Sequence, residues 1–368
     1  MVSISIVKHL SSMAIADIIS KVEAGGRLTF SEALELWKEA PLWQLSQLAL
    51  RVKRERSGDK VYYNRNFHLE PTNVCQFECK FCSYRRGEGE EGSWDYTMDE
   101  VLDIVRQRKD SGATEIHIVG GVHPTHDLYY YTEMIRRIKQ IMPQAAVKAF
   151  TAVELNYMIS KAALTTVEGL QLLKDAGMES IPGGGAEIFA PEIRTKICPQ
   201  KGSAEQWLDL HRAAHSIGID SNATMLYGHI ESVEHRIDHL MRLRELQDET
   251  GGINAFIPLK YRSANNSLSY LGETSVTDDL RTLAMSRLIL DNIEHIKAYW
   301  VMYGKTTTEL ALAFGADDID GTIDDSTKIY SMAGADDTRP TMSIEDIVRI
   351  CSNAGFVAVE RDTHYNQI

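Results

Sequence analysis

Glycine recurs along this chain at the ends of helix-like stretches, and this spacing constrains the fold more than any other feature. Such stretches end at Gly112, Gly177, Gly218, Gly251 and Gly315, and a short strand-like run follows each of them. Glycine favours this position because it enters the left-handed conformation that ends a helix without the strain that a Cβ brings. The alternation of helices with short buried strands predicts a parallel sheet with right-handed crossovers.

Eight segments have the character of strands. Five follow these glycines, and the others are FHLEPTN at 67, AVKAFTA at 146 and IKAYWVM at 296. Capping-box patterns at Thr97, Ser203 and Thr306 predict the starts of intervening helices. We therefore expect an α/β protein with a closed (β/α)8 barrel of the TIM type, or with a six-stranded partial barrel and a C-terminal extension.

The chain divides into three predicted parts. Residues 1–60 hold an N-terminal helical elaboration, residues 61–330 the barrel, and residues 331–368 a C-terminal helix and strand that pack on it. A net charge of −13 and a pI near 5.4 argue against nucleic acid as a partner. The sequence has no long apolar run and no signal-peptide pattern, so we expect a cytoplasmic protein without a membrane partner.

Three of the five cysteines lie in one short segment, EPTNVCQFECKFCSYRR. Cys75, Cys79 and Cys82 follow the first predicted strand, at the face of a barrel where catalytic loops gather. An odd cysteine count without a signal peptide favours metal binding or catalysis over disulfides. A closed zinc site would need a fourth ligand, and Cys198 and Cys351 are distant in the sequence, so we interpret them as buried thiols. Three thiolates on a cubane cluster would leave one iron open to a small molecule, while a structural metal knuckle is the alternative.

The spacing C-x3-C-x2-C, with Phe81 before its last cysteine, resembles the signature of the radical S-adenosylmethionine (SAM) superfamily. The resemblance implies that the three cysteines hold a [4Fe–4S] cluster and that its open iron binds S-adenosyl-L-methionine. It also implies that an electron from the cluster cleaves this molecule to a 5′-deoxyadenosyl radical. Phe81 is then a cofactor-binding residue.

Further segments match the same superfamily and imply its cofactor contacts. Gly120 and Gly121 resemble its GGE motif, whose backbone receives the amino group of the methionine, although Val122 stands in place of the glutamate. Glu187 would accept hydrogen bonds from the ribose. Arg194 would meet the carboxylate of adenosylmethionine, and Thr224 lies in a segment similar to the one that packs on adenine.

A longer set of segments, including GGVHP, SIPGGGAEIF, FGADDIDGT and ERDTHYN, is similar to the aminofutalosine synthase family of the futalosine route to menaquinone. This resemblance implies addition of the adenosyl radical to 3-[(1-carboxyvinyl)oxy]benzoate, with rearrangement and loss of carboxylate, to form 6-amino-6-deoxyfutalosine. The electron donor would be a flavodoxin or ferredoxin. Dehypoxanthine futalosine cyclase and deazaflavin (FO) synthase subunits are the related alternatives, and a non-catalytic iron–sulfur protein is the alternative outside enzymes.

Candidate polar residues for the substrate lie at predicted strand ends. We interpret His68, His123 and His229 as candidate catalytic residues because each could point into the barrel or its mouth. The two carboxylates of the implied substrate need cationic partners, since a buried carboxylate without them costs several kcal/mol. Lys260 and Arg262, which follow another predicted strand, could supply that charge.

Overall fold

The computed structural model of this chain describes residues 15–323, 332–334 and 341–368. Its N-terminal part is helical and leads into the first strand. The elements there are α1 (15–23), α2 (Phe30–Glu39), α3 (Leu42–Ser57) and β1 (Lys60–Asn64). None of the described helices combines the length and the apolar character needed to cross a membrane.

Seven parallel strands form the main sheet, in the order in which they occur along the chain. They are β2 (Asn66–Leu69), β3 (Glu115–Ile118), β4 (Ala146–Ala149), β5 (Met178–Ile181), β6 (Asp220–Tyr227), β7 (Ile253–Lys260) and β8 (His295–Ile296). Every neighbouring pair is parallel, which requires a crossover between successive strands. The predicted α/β architecture is thereby confirmed in its partial-barrel form, while the closed barrel of eight strands is wrong, because the main sheet has seven strands and no pairing of β8 with β2 closes it among the described residues.

Helices make these crossovers and cover the outside of the sheet. They are α4 (Met98–Arg108), α5 (Leu128–Ile141), α6 (Ala152–Lys161), α7 (Thr166–Ala176), α8 (Pro191–Ile197), α9 (Ala204–Ser216), α10 (Val233–Thr250), α11 (Val276–Ile289), α12 (Trp300–Tyr303) and α13 (Lys305–Ala311). The predicted capping boxes at Thr97 and Ser203 are confirmed. The box at Thr306 is wrong, because α13 already begins at Lys305 and has no side-chain cap.

The eighth predicted strand belongs to a second, three-stranded sheet. Its strands are β1, β9 (Asp318–Gly321) and β10 (Val357–Glu360), in the order β10-β1-β9, and α14 (Ile344–Asn353) precedes β10. An isolated bridge between Lys297 and Asp318 links the end of the main sheet to β9. The predicted run IKAYWVM gives a strand of only two residues, since the chain turns into α12 at Trp300.

A row of polar residues crosses the inside of the main sheet. The strand register places His68 beside His117, His117 beside Lys148, and Lys148 beside Ser180. Lys148 Nζ lies 2.6 Å from a carboxylate oxygen of Glu115, and both side chains are almost fully buried. A buried ion is tolerated only when it is paired in this way. The inside of the main sheet is therefore polar along this row and not uniformly apolar.

Candidate active site

The three cysteines lie in one loop between β2 and α4, and each is partly exposed. The loop is held from several sides by its main chain. Gln76 N–H donates to the Val122 carbonyl over 3.1 Å, and Lys80 N–H donates to the Ile197 carbonyl over 2.8 Å. Burial raises the pKa of Cys79 to about 12. The free thiol therefore keeps its proton, and a bound metal would replace that proton. Three cysteines in one loop could thus serve together as ligands of a metal group.

Cys198 lies beside this loop in space, although more than a hundred residues separate it from Cys82 in the sequence. It follows Ile197, whose carbonyl accepts the Lys80 N–H, and its side chain is 1% exposed. Burial also raises its pKa to about 11. The prediction that Cys198 and Cys351 are buried thiols is confirmed.

Gly121 brings the end of β3 into direct contact with the cysteine loop. A Cβ built there would lie 2.2 Å from the Val74 carbonyl oxygen, so only glycine fits. Gly121 N–H donates to the Thr72 carbonyl over 2.8 Å, and Gly120 N–H donates to Glu154 Oε1 over 2.9 Å. An ammonium group only donates hydrogen bonds, so the carbonyl oxygens of Gly120 and Gly121 are the backbone atoms of this turn that could receive one.

A cavity of about 340 Å³ opens beside Phe81 and Cys82. Most of its walls are apolar, with a small number of polar side chains at strand ends, as in sites that bind small organic molecules. Gly120, Glu187 and Thr224, three of the predicted cofactor-binding residues, line it. The structure thus brings four of the six predicted cofactor-binding residues, together with one of the cysteines, around one space.

Glu187 has a strained backbone, with φ +49. Its carboxylate Oε1 lies 2.5 Å from Nζ of Lys201, and this ammonium lies 5.1 Å from the ring centroid of Phe81. A non-glycine residue in the left-handed region costs about 1 kcal/mol or more and is retained where the surrounding structure needs it. Sequence reasoning missed Lys201, which lies in a loop after α8 and carries no recognisable motif.

Arg194 does not line the cavity. Its guanidinium donates to the carbonyls of Ala186, Ile188 and Gly202, and it is 4% exposed. These bonds clamp the turn that carries Glu187. The predicted contact between Arg194 and the carboxylate of adenosylmethionine would require them to break.

His68 is buried inside the barrel and stacks on His117, with ring centroids 4.5 Å apart. His117, rather than His68, lines the cavity. Burial lowers the pKa of His117 well below its usual value, so its imidazole is neutral. Sequence reasoning missed His117, although its place between two buried isoleucines of β3 marks it as facing the other side of the strand.

His123 lies in a separate cluster and is absent from the cavity lining. Its Nε2 and that of His126 each lie 3.4 Å from Asp95 Oδ2, and the three side chains bring possible metal ligands within 4.8 Å of one another. However, His123 Nδ1 accepts the N–H groups of Thr125 and His126, so its proton sits on Nε2 and points at Asp95. We interpret this cluster as a hydrogen-bonded loop anchor.

His229 is also absent from the cavity lining. Its side chain is fully buried, its Nε2 pairs with the Leu226 carbonyl at 3.1 Å, and its Nδ1 accepts the Ile230 N–H over 2.7 Å. Burial lowers its pKa. These contacts fix the loop after β6, so the structure does not bring His229 to the reacting groups.

The opposite wall of the cavity comes from β7, β9 and the segment that precedes α13. Lys260 and Arg262 lie at and just after the end of β7, and Asp320, in β9, has φ +74. Lys297 Nζ lies 3.3 Å from Asp320 Oδ1. Tyr299 and Met302 complete this side. Sequence reasoning missed Asp320 as a cavity residue, although Asp318 and Asp320 alternate with the buried Ile319 of β9.

Comparison with known proteins identifies the two parts of the chain. The family model described as Radical SAM superfamily matches residues 69–243. A second family model, described as CofH/MqnC C-terminal region, matches residues 250–368. The chain is 44% identical to an aminodeoxyfutalosine synthase of Thermus thermophilus, over 95% of each chain. It is 35% identical to a cyclic dehypoxanthine futalosine synthase of Streptomyces coelicolor, over 95% of this chain and 88% of that one. This chain belongs to the radical SAM superfamily.

A solved structure supports the same fold. The crystal structure of methylornithine synthase (PylB) superposes with a TM-score of 0.74 at 17% identity, over 93% of this chain and 97% of that chain. Radical SAM enzymes use a [4Fe–4S] cluster and S-adenosylmethionine, and these are the cofactors of this enzyme. The three-cysteine loop fits the cluster, since its thiols share one loop and one of them faces the cavity where adenosylmethionine would bind.

The two matched regions divide the cavity between them. The radical SAM region supplies the wall beside the cysteine loop, which includes Phe81, Cys82, His117, Gly120, Glu187 and Thr224. The C-terminal region supplies the opposite wall, which includes Lys260, Arg262, Tyr299, Met302 and Asp320. The cavity therefore lies between the wall of the radical SAM region, called the cofactor wall below because the cofactor is expected to bind there, and the wall of the C-terminal region.

Proposed function

We propose that this enzyme adds the 5′-deoxyadenosyl group to 3-[(1-carboxyvinyl)oxy]benzoate and forms 6-amino-6-deoxyfutalosine in menaquinone biosynthesis. The new bond joins C5′ to the CH2 carbon of the enolpyruvyl double bond, the aryl group then moves from oxygen to the neighbouring carbon, and the carboxylate leaves as carbon dioxide or bicarbonate with release of the one electron that cleavage of adenosylmethionine consumed, so that no net reductant is used. Adenosylmethionine is consumed as a substrate. The similarity to aminodeoxyfutalosine synthase over nearly the whole chain carries this proposal, because it covers the C-terminal wall of the cavity as well as the cofactor wall.

Within this proposal, Cys75, Cys79 and Cys82 hold the cluster. The cluster and adenosylmethionine together supply the 5′-deoxyadenosyl radical. The carbonyls of Gly120 and Gly121 receive the amino group of the methionine, which accounts for the close approach of this turn to the cysteine loop.

The remaining cofactor contacts come from the same wall. Glu187 accepts hydrogen bonds from the ribose hydroxyls, and Phe81 and Thr224 bound the nucleoside. Thr224 Oγ1 donates to the Gly183 carbonyl over 2.9 Å, which holds this part of the wall rigid. Rigid placement matters because the acceptor carbon must be fixed close to C5′ before the radical forms.

The apolar side chains of the cavity protect the radical chemistry. Val119, Leu226, Ile257, Leu259 and Met302 line the space between the two walls. An adenosyl radical reacts with nearby C–H bonds, so the acceptor must fill this space and water must be excluded. The aromatic ring of the proposed substrate suits an apolar cavity of this size.

We further propose a flavodoxin or ferredoxin as the electron donor. A cytoplasmic location suits five free thiols and an oxygen-sensitive cluster, since both persist in reducing compartments. We also propose that residues 1–60, 61–330 and 331–368 form the helical elaboration, the barrel and the C-terminal part.

Product analysis after anaerobic incubation tests the proposed reaction. The reduced enzyme receives adenosylmethionine with either 3-[(1-carboxyvinyl)oxy]benzoate or dehypoxanthine futalosine, and the products are identified by mass spectrometry. We expect 6-amino-6-deoxyfutalosine from the first substrate and no cyclised product from the second. Turnover of dehypoxanthine futalosine alone would assign the enzyme to the cyclase reaction.

A further inference from the structure

Two cations stand side by side on the wall that the C-terminal region contributes. Lys260 ends β7 and Arg262 follows two residues later, and both line the cavity. Among the described residues of the lining, they are the lysine and arginine side chains. The acids Glu187 and Asp320 occupy other parts of the lining, and they would repel an anion placed next to them. A carboxylate that enters this cavity is therefore directed to the end of β7.

The two cations have two counter-ions of different character. Asp279 is 1% exposed, lies 3.0 Å from Lys260 Nζ, and accepts hydrogen bonds of 2.7 Å from the hydroxyls of Tyr227 and Thr274. Glu273 is 30% exposed and lies farther away, 3.8 Å from Lys260 Nζ and 3.3 Å from Arg262 Nε. Asp279 is thus a fixed partner, whereas Glu273, which also accepts a long hydrogen bond of 3.4 Å from the Ser263 N–H, loses only weak contacts when it turns toward solvent.

Arg262 is held in place by groups other than Glu273. Its terminal nitrogens donate to the carbonyls of Met302 and Gly334, over 3.3 Å and 2.8 Å. Its Nε is buried and makes no hydrogen bond to any described residue, because Glu273 approaches it without suitable geometry. A buried donor without an acceptor costs free energy, and an anion in place of Glu273 would remove that cost.

We propose that Lys260 and Arg262 form a subsite for one carboxylate of the acceptor substrate, and that Glu273 is the counter-ion which this carboxylate displaces. The inference rests on the proposed function, since it assigns a place to one of the two carboxylates of that substrate. With Glu273 turned outward, the two cations and Asp279 carry one net positive charge, which matches a single carboxylate. The same wall then sets the orientation of the acceptor relative to the cofactor wall.

Equilibrium binding without reductant tests the subsite apart from turnover. The cluster-loaded protein is titrated with 3-[(1-carboxyvinyl)oxy]benzoate as the wild type, as Arg262→Gln, as Glu273→Gln and as the double variant. Arg54→Gln is the matched control, because Arg54 forms an exposed ion pair with Asp59 on another part of the surface. We expect Arg262→Gln to raise Kd at least about tenfold, as the loss of a charge-assisted hydrogen bond does. We expect Arg54→Gln to bind as the wild type does.

The direction in which Glu273→Gln changes Kd distinguishes a carboxylate subsite from a purely structural ion pair. Glu273→Gln removes the competing carboxylate, so we expect it to lower Kd, with the double variant between the two single variants. A rise in Kd for Glu273→Gln equal to that of Arg262→Gln would show a structural pair and overturn the proposal. Wild-type affinity in Arg262→Gln would overturn it as well. Adenosylmethionine binding should stay the same in all variants, and its loss would also contradict the assignment.

Failure of the proposed function gives a different result. If the wild type does not bind 3-[(1-carboxyvinyl)oxy]benzoate, the proposed function is wrong. Benzoate and pyruvate then serve as probes of the carboxylate subsite. If the wild type binds either anion, and if Arg262→Gln weakens and Glu273→Gln strengthens that binding, the result supports the carboxylate subsite independently of the proposed function. Equal or absent binding of both anions in wild type and variants overturns it.

Discussion

Glu187 Oε1 lies 2.5 Å from Nζ of Lys201, and this ion pair stands between the cysteine loop and the cavity. Glu187 lines the cavity, while Lys201 is not part of the lining and its Nζ lies 5.1 Å from the ring centroid of Phe81. The pair fixes the carboxylate in the orientation that a ribose would meet. It also places the Lys201 ammonium near Cys79, where it favours the thiolate form that a bound metal requires and partly opposes the effect of burial on the pKa of this thiol.

Glu187→Ala should weaken adenosylmethionine binding while the cluster assembles normally, because the lost contact belongs to the ligand. We expect Kd for adenosylmethionine to rise about tenfold or more, measured by equilibrium dialysis, with unchanged iron content. Glu192→Ala, which removes an exposed acid of the neighbouring helix α8, is the matched control. Wild-type affinity in Glu187→Ala would remove this residue from the ribose contact.

The three loop cysteines should hold the cluster without help from Cys198, even though Cys198 lies beside them. We expect the double variant Cys198→Ser, Cys351→Ser to keep the iron content and visible absorbance of the wild type, because both thiols are buried and outside the loop. Cys79→Ser should lose both signals. Loss of iron in the double variant would show that a cysteine outside the loop takes part.

Gly121→Ala should disrupt the cysteine loop. The added Cβ would lie 2.2 Å from the Val74 carbonyl oxygen, and the other nearest atoms are the Val74 carbonyl carbon and the Cys75 Cβ, so no flexible end of a side chain can move away. We expect lower iron incorporation after reconstitution, measured by iron analysis. Gly87→Ala is the matched control in the same loop, since its Cβ would meet only the end of the Glu90 side chain. Full iron content in Gly121→Ala would contradict the close approach.

The fold was largely predictable from the sequence because its signals are local. The glycines at 112, 177, 218, 251 and 315 all have positive φ, and strands of the main sheet or β9 follow each of them. The second sheet was not foreseen, since β1 pairs with β9 and β10, which lie more than 250 residues later in the sequence. No local pattern reports such a long-range contact.

The sequence predicted site residues only where a motif specifies a backbone contact or a metal ligand. The cysteine loop, Gly120 and Glu187 come together as the sequence indicates, and they do so because strand ends of a parallel barrel meet at one face. Arg194, His123 and His229 lie near strand ends in the sequence, but their side chains contact carbonyls and a carboxylate of nearby turns and loops instead of the cavity. The direction of a side chain after a strand depends on partners that sequence alone does not reveal.

His239 should make the protein less stable as the pH falls below about 6.5. Its Nε2 pairs with the Thr224 carbonyl at 2.9 Å, its Nδ1 has no hydrogen-bond partner among the described residues, and burial lowers its pKa to about 3. Between pH 6.5 and 3 the unfolded chain therefore binds a proton that the folded chain does not. This linkage removes about 1.4 kcal/mol of stability per pH unit.

Urea unfolding at pH 7 and pH 5.5 measures this contribution. We expect His239→Gln to lose less stability than the wild type between the two pH values. His235→Gln, at a partly exposed histidine on the same helix α10, should lose as much as the wild type. An equal loss in His239→Gln and the wild type would contradict the assignment of this pH dependence to His239.

Transfer of a label from the adenosyl group tests the proposed reaction most directly. The anaerobic enzyme receives reductant, 3-[(1-carboxyvinyl)oxy]benzoate and adenosylmethionine labelled in its adenosyl carbons. If the adenosyl group adds to the acceptor, the label appears in 6-amino-6-deoxyfutalosine in one-to-one yield with the methionine released. If the enzyme instead removes hydrogen from its substrate, labelled 5′-deoxyadenosine accumulates in one-to-one yield with an unlabelled product, and that result would contradict the addition.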